Sequence, residues 1–437
     1  RFAYAQLECS FTEDQADDLH TMLADLEEKA RAADFDPRIV DWIGIDLEAR
    51  SKAYGAVVAR LTRMAGDRES DNIVRVRVPF LFFISREVLK TGDKTAFYGL
   101  YRQLWSSPWF SRLDPDLQSA SASHNLEYIA DNGALDKNAA IYLPYIKAPE
   151  TFLTILAKRN YEPLWPEIET FVGTHLKNVA GPYVEERLAA LARAPDDHEK
   201  LSEAVYALLK TGDYANAVEL IQPYLDSDKD YNLITEDEAW AINYGAYALD
   251  KLGRSEEASW LFDKIAALSP GNRSWLVSFV INRGSRLVEM GDYEGGLKAS
   301  DYAAKFAKDH GNAYAKILTL RDRVCSLYRL GRREEALHLF EKLIDQPQES
   351  PGAAVVAAQC VGQIDLAANW AIEGLRNPIY DKMMIDEFQI PVFQTFYTRS
   401  ELPSLNQLLN QRSDVRAAFD AVARQLPIEF APRTEQP

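Results

Sequence analysis

The side chains best suited to chemistry in this sequence recur at fixed distances before four glycines. Ser202, Tyr206 and Lys210 precede Gly212, and Asn243, Tyr247 and Lys251 precede Gly253. Ser285 and Glu289 precede Gly291, while Arg321 and Arg329 precede Gly331 with Tyr328 beside them. Residues three or four apart on a helix share a face, so each set forms one stripe. Phenol rings interleaved with amides and cations suit the grip of a peptide backbone and its carboxylates. The competing reading makes the same residues solvated or lodged between neighbouring helices.

Other reactive side chains lack the spacing that chemistry requires. His20, His124, His175, His198, His310 and His338 are scattered and form no His-x-x-x-His pair, so no metal and no cofactor is expected. Cys9, Cys325 and Cys360 have no metal-ligand spacing, and Cys325 and Cys360 read as buried, inert thiols. No Gly-x-Gly-x-x-Gly, phosphate-loop lysine or Gly-x-Ser-x-Gly occurs. The acidic pairs Asp17-Asp18, Glu27-Glu28 and Glu256-Glu257 read as solvent-facing helix residues. One enzyme alternative remains, an α/α toroid cleaving carbohydrate, with Trp105 to Phe110, Asp114 and Asp116 lining its cleft. Aromatic clusters near proline more commonly pack a loop onto a core.

The chain has 437 residues, 47% apolar and 26% charged, with 49 basic against 66 acidic residues and a net charge of −17. That balance belongs to a folded protein and argues against nucleic acid or an anionic membrane as the main partner. The strongest apolar run, Val78 to Ile84, is far too short to span a bilayer. Ala3-Tyr4-Ala5 has the small-x-small form of a signal-peptidase site, which favours an exported, periplasmic location over a cytoplasmic one.

Helical periodicity dominates the elements that must position these residues. Thr12 to Gln15 reads as an N-cap before a helix over Ala16 to Ala33 with Leu19, Met22, Leu23 and Leu26 on one face. One long helix is expected from Asp36 to Ala65, interrupted only by the poor helix formers Gly44 and Gly55. Gly66 to Asn72 is a polar connection, and Ile73 to Val78 reads as a short strand or an extended lead-in.

The turns Gly212-Asp213-Tyr214, Gly253-Arg254-Ser255, Gly291-Asp292-Tyr293 and Gly331-Arg332-Arg333 lie 41, 38 and 40 residues apart. Spacings of this size mark an array of helical hairpins. Leu89-Lys90-Thr91-Gly92-Asp93 recurs as Leu209-Lys210-Thr211-Gly212-Asp213, which carries the pattern into the first half. Aligned on glycine, fixed columns appear: Leu208, Leu249, Leu287 and Leu327, then small Val205, Ala246, Gly284 and Val324. After the turn come Ala217, Ala258, Gly296 and Ala336, followed by Ile221, Phe262, Ser300 and Phe340. Small residues facing across a hairpin permit close antiparallel packing.

This pattern resembles the tetratricopeptide repeat family, most clearly over Ile242 to Pro270, where Ala246, Gly253, Ala258, Phe262 and Pro270 stand at the family's offsets. The period exceeds the family's usual one, and Ser300 replaces its large aromatic, so the third unit is expected to be looser. The resemblance implies an all-α, right-handed α-solenoid of antiparallel hairpins with helical caps at both ends. The expected segments are an N-terminal cap over 1–72, degenerate hairpins over 73–197, clear repeats over 198–376, and a C-terminal cap and loose tail over 377–437. It also implies a non-catalytic scaffold or adaptor within a larger assembly, holding a segment of another protein in a concave groove. A further alternative is the repeat domain of a ligand-sensing regulator, although no DNA-binding segment accompanies it in this sequence. The apolar stretch Ile379 to Tyr397 is expected to cap the last hairpin rather than insert into a partner or the chain's own groove, and Leu405 to Leu426 reads as one further helix.

Overall fold

The structure, a computed structural model, describes residues 37–432 except 227, 270, 272, 394, 395 and 397–399, together with Thr21, Leu23, Asp25, Glu28, Lys29 and Ala32. The expected N-cap at Thr12, the signal-peptidase match, Cys9, His20, the termination at Pro270 and most of the first helix lie outside these residues. The described part is all-helical and contains no strand, only an isolated antiparallel bridge between Lys158 and Ala423. Two compact units divide it, 1–147 and 148–437.

The first unit contains α1 (Pro37–Arg50), α2 (Tyr54–Gly66), α3 (Val78–Lys90), α4 (Lys94–Trp105) and α5 (Pro115–Asp131). The expected single helix over 36–65 is two, because the chain turns at Lys52, whose φ is +59°. An ion cluster holds that turn closed. Arg60, 8% exposed, reaches Glu48 at 2.8 Å and Asp41 at 3.6 Å, and Arg63 reaches Asp41 at 2.8 Å. Gly44 belongs here for a packing reason: a Cβ would lie 2.3 Å from the Arg60 guanidinium carbon. Ile73 to Val78 is a lead-in, with a 3₁₀ turn at Asn72–Arg75 and extended backbone before α3. Trp105 packs on Phe110, Tyr142 and Tyr145, and Trp109 Nε1 donates to the Asp67 carbonyl at 2.7 Å. That cluster pins a loop to the core, and Asp114 caps α5.

The second unit begins with α6 (Pro149–Ala157), α7 (Trp165–Val172) and α8 (Lys177–Arg193). Hairpin helices follow: α9 (His198–Thr211), α10 (Tyr214–Leu220), α11 (Glu236–Lys251), α12 (Ser255–Ala266), α13 (Leu276–Glu289) and α14 (Tyr293–His310). Then come α15 (Ala313–Arg329), α16 (Arg333–Ile344), α17 (Pro351–Cys360) and α18 (Ile364–Arg376). The chain finishes with α19 (Asp381–Glu387), α20 (Leu405–Gln411) and α21 (Ser413–Val422).

The glycine turns explain the leucine column. Gly212, Gly253, Gly291 and Gly331 have φ of 87°, 76°, 84° and 80°, where a Cβ is penalised. That conformation lets the next N–H return to the carbonyl five residues back: Asp213 to Leu208 at 2.9 Å, Arg254 to Leu249 at 2.9 Å, Asp292 to Leu287 at 3.0 Å and Arg332 to Leu327 at 2.9 Å. Each closes a Schellman C-cap. Where aspartate follows glycine it also caps the next helix, accepting from Asn216 or Gly295. Where arginine follows, it pairs three residues on, Arg254 with Glu257 and Arg332 with Glu335.

The third hairpin is not loose. A Cβ on Gly284 would stand 2.9 Å from Ser300 Oγ, and one on Gly296 would stand 2.5 Å from Val288 Cγ2. Glycine on both helices lets α13 and α14 close over Ser300, which is 1% exposed. Backbone approach takes the place of the missing ring.

Three further expectations are corrected. Cys325 and Cys360 are not free thiols but form a disulfide between α15 and α17. Their separation of 35 residues is close to one repeat, which sets equivalent faces of successive first helices together. The predicted helix over 405–426 is divided at Arg412 into α20 and α21. Residues 427–432 are not a loose tail, since Phe430 and Ala431 are each 4% exposed and the Ala431 carbonyl meets His175 Nδ1 at 2.8 Å.

That last contact belongs to a larger closure within the second unit. Lys158 pairs with Asp381 at 2.9 Å, and the Arg424 N–H donates to the Ala157 carbonyl at 2.8 Å. Arg424 also pairs with Glu169 at 2.7 Å and lies 3.7 Å over the Trp165 ring. The last elements of the unit therefore pack on its first.

Candidate functional site: a helix face met by its own chain, and the cavity beside it

The sequence-selected residues lie on α9, α11, α13 and α15, and most are engaged. On α9, Ser202 is half-buried, and Tyr206 tilts on Tyr244 at 4.9 Å while its hydroxyl donates to Glu150 Oε1 at 3.5 Å. Burial first, then the Glu150 charge, pushes the Tyr206 phenol far up. The Lys210 ammonium stands 5.4 Å from the centroids of both Tyr206 and Phe396. Burial pulls Lys210 down against the opposing pull of Glu150 and Asp386.

On α11, Asn243 is 1% exposed and accepts from Asn282 Nδ2 at 3.1 Å. Tyr247 is enclosed between Phe262 at 5.3 Å and Phe396 at 5.1 Å. Burial lowers Lys251 to about 8, with Asp250 opposing. Ser285 of α13 donates to Asp322 Oδ2 at 2.6 Å, and Arg321 of α15 lies 2.6 Å from Asp322 and 3.7 Å from Glu289. Tyr328 faces Arg333 at 5.5 Å, while Arg329 is exposed and donates to the Glu401 carbonyl at 3.3 Å. Asn243 and Ser285 thus join neighbouring first helices rather than presenting open surface.

What meets the remaining residues is the chain itself. Phe396 lies between Lys210 and Tyr247. Ser400 Oγ donates to the Glu289 carboxylate, and the Glu401 N–H donates to the Glu289 carbonyl at 2.8 Å. Leu402, 4% exposed, packs with Val288 and the Cys325–Cys360 disulfide. An aromatic anchor, main-chain hydrogen bonds and an aliphatic anchor follow one another along α9 to α15. Within and beyond the apolar stretch that starts at Ile379, Met384, Ile385 and Phe388 are fully buried, while Phe396 and Ser400–Leu402 meet the selected first helices.

Beside Phe396 opens a cavity of about 470 Å³, lined by Glu150, Leu153, Lys210, Asp386, Glu387 and Phe393 among others. Asp386 lines this cavity and keeps over a third of its surface open. Burial raises its carboxyl to about 6, against the pull of Lys382, Lys210 and Lys158 and a hydrogen bond from Thr154. Burial raises Glu387 further, to about 7, with Arg321 opposing and Asp386 and Glu289 reinforcing. Glu387 lies against the first turn of α17, where a Cβ on Gly352 would sit 2.4 Å from its carboxyl carbon.

No protein-family model and no curated protein matches the chain.

Sequence reasoning did not single out Glu150, Asp386 or Glu387. Glu150 follows Pro149 at a helix start, which reads as an ordinary first-turn acid. Asp386 and Glu387 lie within the apolar set of Met383, Met384, Ile385 and Phe388. An acidic pair inside an apolar run was the available signal that they face an enclosed space.

Proposed function

We propose that this protein is a non-catalytic, protein-binding scaffold, an adaptor whose first-helix face holds an extended segment of a partner. On this reading the hairpins over 198–376 form a right-handed, tetratricopeptide-like solenoid with helical caps. The observation that carries the proposal is the binding of Phe396 and Ser400–Leu402 along α9 to α15 by ring, main-chain and aliphatic contacts. A surface that grips one chain segment this way has the chemistry to grip another. The chain's own segment then acts as an occupant that a partner displaces. The Cys325–Cys360 disulfide supports an exported location, where such bonds persist. No helix among the described residues is long and apolar enough to cross a membrane.

The test is selection from a displayed random-peptide library against a Phe396→Ser variant, in which the groove is partly vacated. Enriched peptides carrying an aromatic anchor, with binding lost on adding Arg329→Glu, support the proposal. Binding indifferent to Arg329→Glu counts against it. Arg329 suits this test because it is exposed, whereas reversing Arg321 would crowd carboxylates around Asp322 and Glu289.

A second reading draws on the closure of the unit 148–437 and on the two raised carboxylates in its cavity. Both fit an α/α-toroid carbohydrate-active enzyme, in which Asp386 and Glu387 would move protons. Release of reducing sugar from a polysaccharide panel, abolished by Asp386→Asn, would favour that reading over the scaffold.

A further inference from the structure

We propose that the cavity between α6, α9 and α19 binds a small organic cation, an amine or ammonium group carried on an apolar body. The proposal goes beyond the scaffold reading and does not depend on it. A volume of about 470 Å³ falls within the range of small-molecule sites, and Leu153, Phe393 and Phe396 supply apolar wall.

The charges lining this space are not balanced. Glu150 enters from α6, and Asp386 and Glu387 enter from α19. The second oxygen of Glu150 is buried without a hydrogen-bond partner, and no hydrogen bond from a described residue reaches Glu387. Two of the cations facing them are committed elsewhere: Lys158 is held by Asp381 at 2.9 Å, and Arg321 by Asp322 at 2.6 Å and Glu289 at 3.7 Å. Lys382 and Lys210 line the space and pull on Asp386, which leaves three carboxylates facing two cations. The other acidic groups nearby, Glu289 and the Tyr314 phenol, are themselves pushed up, chiefly by burial. A bound cation would offset the cost of ionising these carboxylates in the cavity. The Phe396 ring already accepts one cation, from Lys210, and ring faces attract ammonium groups generally. Among the described residues no three metal-ligating groups converge, so an organic cation suits the site and a metal ion does not.

Raised carboxyl pKa values give the site a signature. Asp386 near 6 and Glu387 near 7 hold protons that a cation must displace, so affinity rises with pH through that range and binding releases protons.

The test is isothermal titration calorimetry of the full chain with phenethylamine, and with phenethyl alcohol and phenylacetate as isosteres lacking the positive charge. The amine binds and the isosteres do not. Its affinity falls roughly 10-fold or more between about pH 8 and about pH 5.5. Glu387→Gln weakens the amine by at least about 10-fold, the value of one charge contact, without lowering the melting temperature. Glu150→Gln provides the same reading should Glu387→Gln not fold. Equal binding of amine and alcohol, no binding of the amine, or wild-type affinity in both variants overturns the proposal.

Discussion

Removing the Cys325–Cys360 disulfide gives the most quantitative test of the repeat packing. Both sulfurs are enclosed, with Cys325 fully buried and Cys360 7% exposed, and the bond ties α15 to α17 across 35 residues. Closing a loop of that length costs the unfolded chain about 4 kcal/mol of entropy in the chain-closure account. Cys325→Ala with Cys360→Ala should therefore destabilise the unit 148–437 by roughly 2–4 kcal/mol, a urea midpoint shift of about 1 M. The assay is tryptophan-fluorescence unfolding of oxidised wild type, reduced wild type and the double variant. Reduced wild type and double variant should coincide, with oxidised protein above both. Coincidence of all three curves, or labelling of both cysteines by maleimide in unfolded but unreduced protein, would refute the reasoning.

Other substitutions probe separate parts of the account. Glu48→Gln should cost the first unit about 1.5–3 kcal/mol in thermal unfolding, because it weakens the charge-assisted hydrogen bonds to the buried Arg60 guanidinium while Asp41 still faces it. Gly284→Ala should cost about 1–3 kcal/mol through its contact with Ser300, and Ser300→Gly should recover much of that loss in the same melt. Glu387 binds its proton more tightly folded than unfolded, so its contribution to stability is largest in acid and is lost as pH rises from about 4.5 toward 7. Glu387→Gln should consequently match wild type at low pH and exceed its melting temperature above neutrality. A variant equal to wild type at both ends would show the carboxyl to be unperturbed.

Local rules made much of the fold legible. The Gly-Asp turns could be placed because glycine supplies the left-handed C-cap and aspartate the next N-cap, two demands met by adjacent residues. The leucine column was visible as a pattern, though its carbonyl acts in the turn as much as its side chain acts in the core. Errors arose where distant residues decide. Arg60 returning to Glu48 breaks the predicted long helix, and no local signal records a partner 12 residues away. The Gly284–Gly296 approach turns an apparent defect at Ser300 into close packing. Cys325 and Cys360 become partners only once helices one repeat apart are stacked. The selected first-helix residues could be listed from their spacing, but their engagement by Phe396 and Glu401 depends on a segment well over a hundred residues from α11.

On the scaffold proposal, the face of α9 to α15 holds an extended chain. Fluorescence anisotropy of a labelled peptide spanning residues 391–404, titrated with the Phe396→Ser protein, tests it most directly. Saturable binding is expected, weaker for the wild type because its own segment competes at high effective concentration, and lost when the peptide's phenylalanine is replaced. Equal binding to wild type and variant, or none to a variant that melts cooperatively, would contradict the claim.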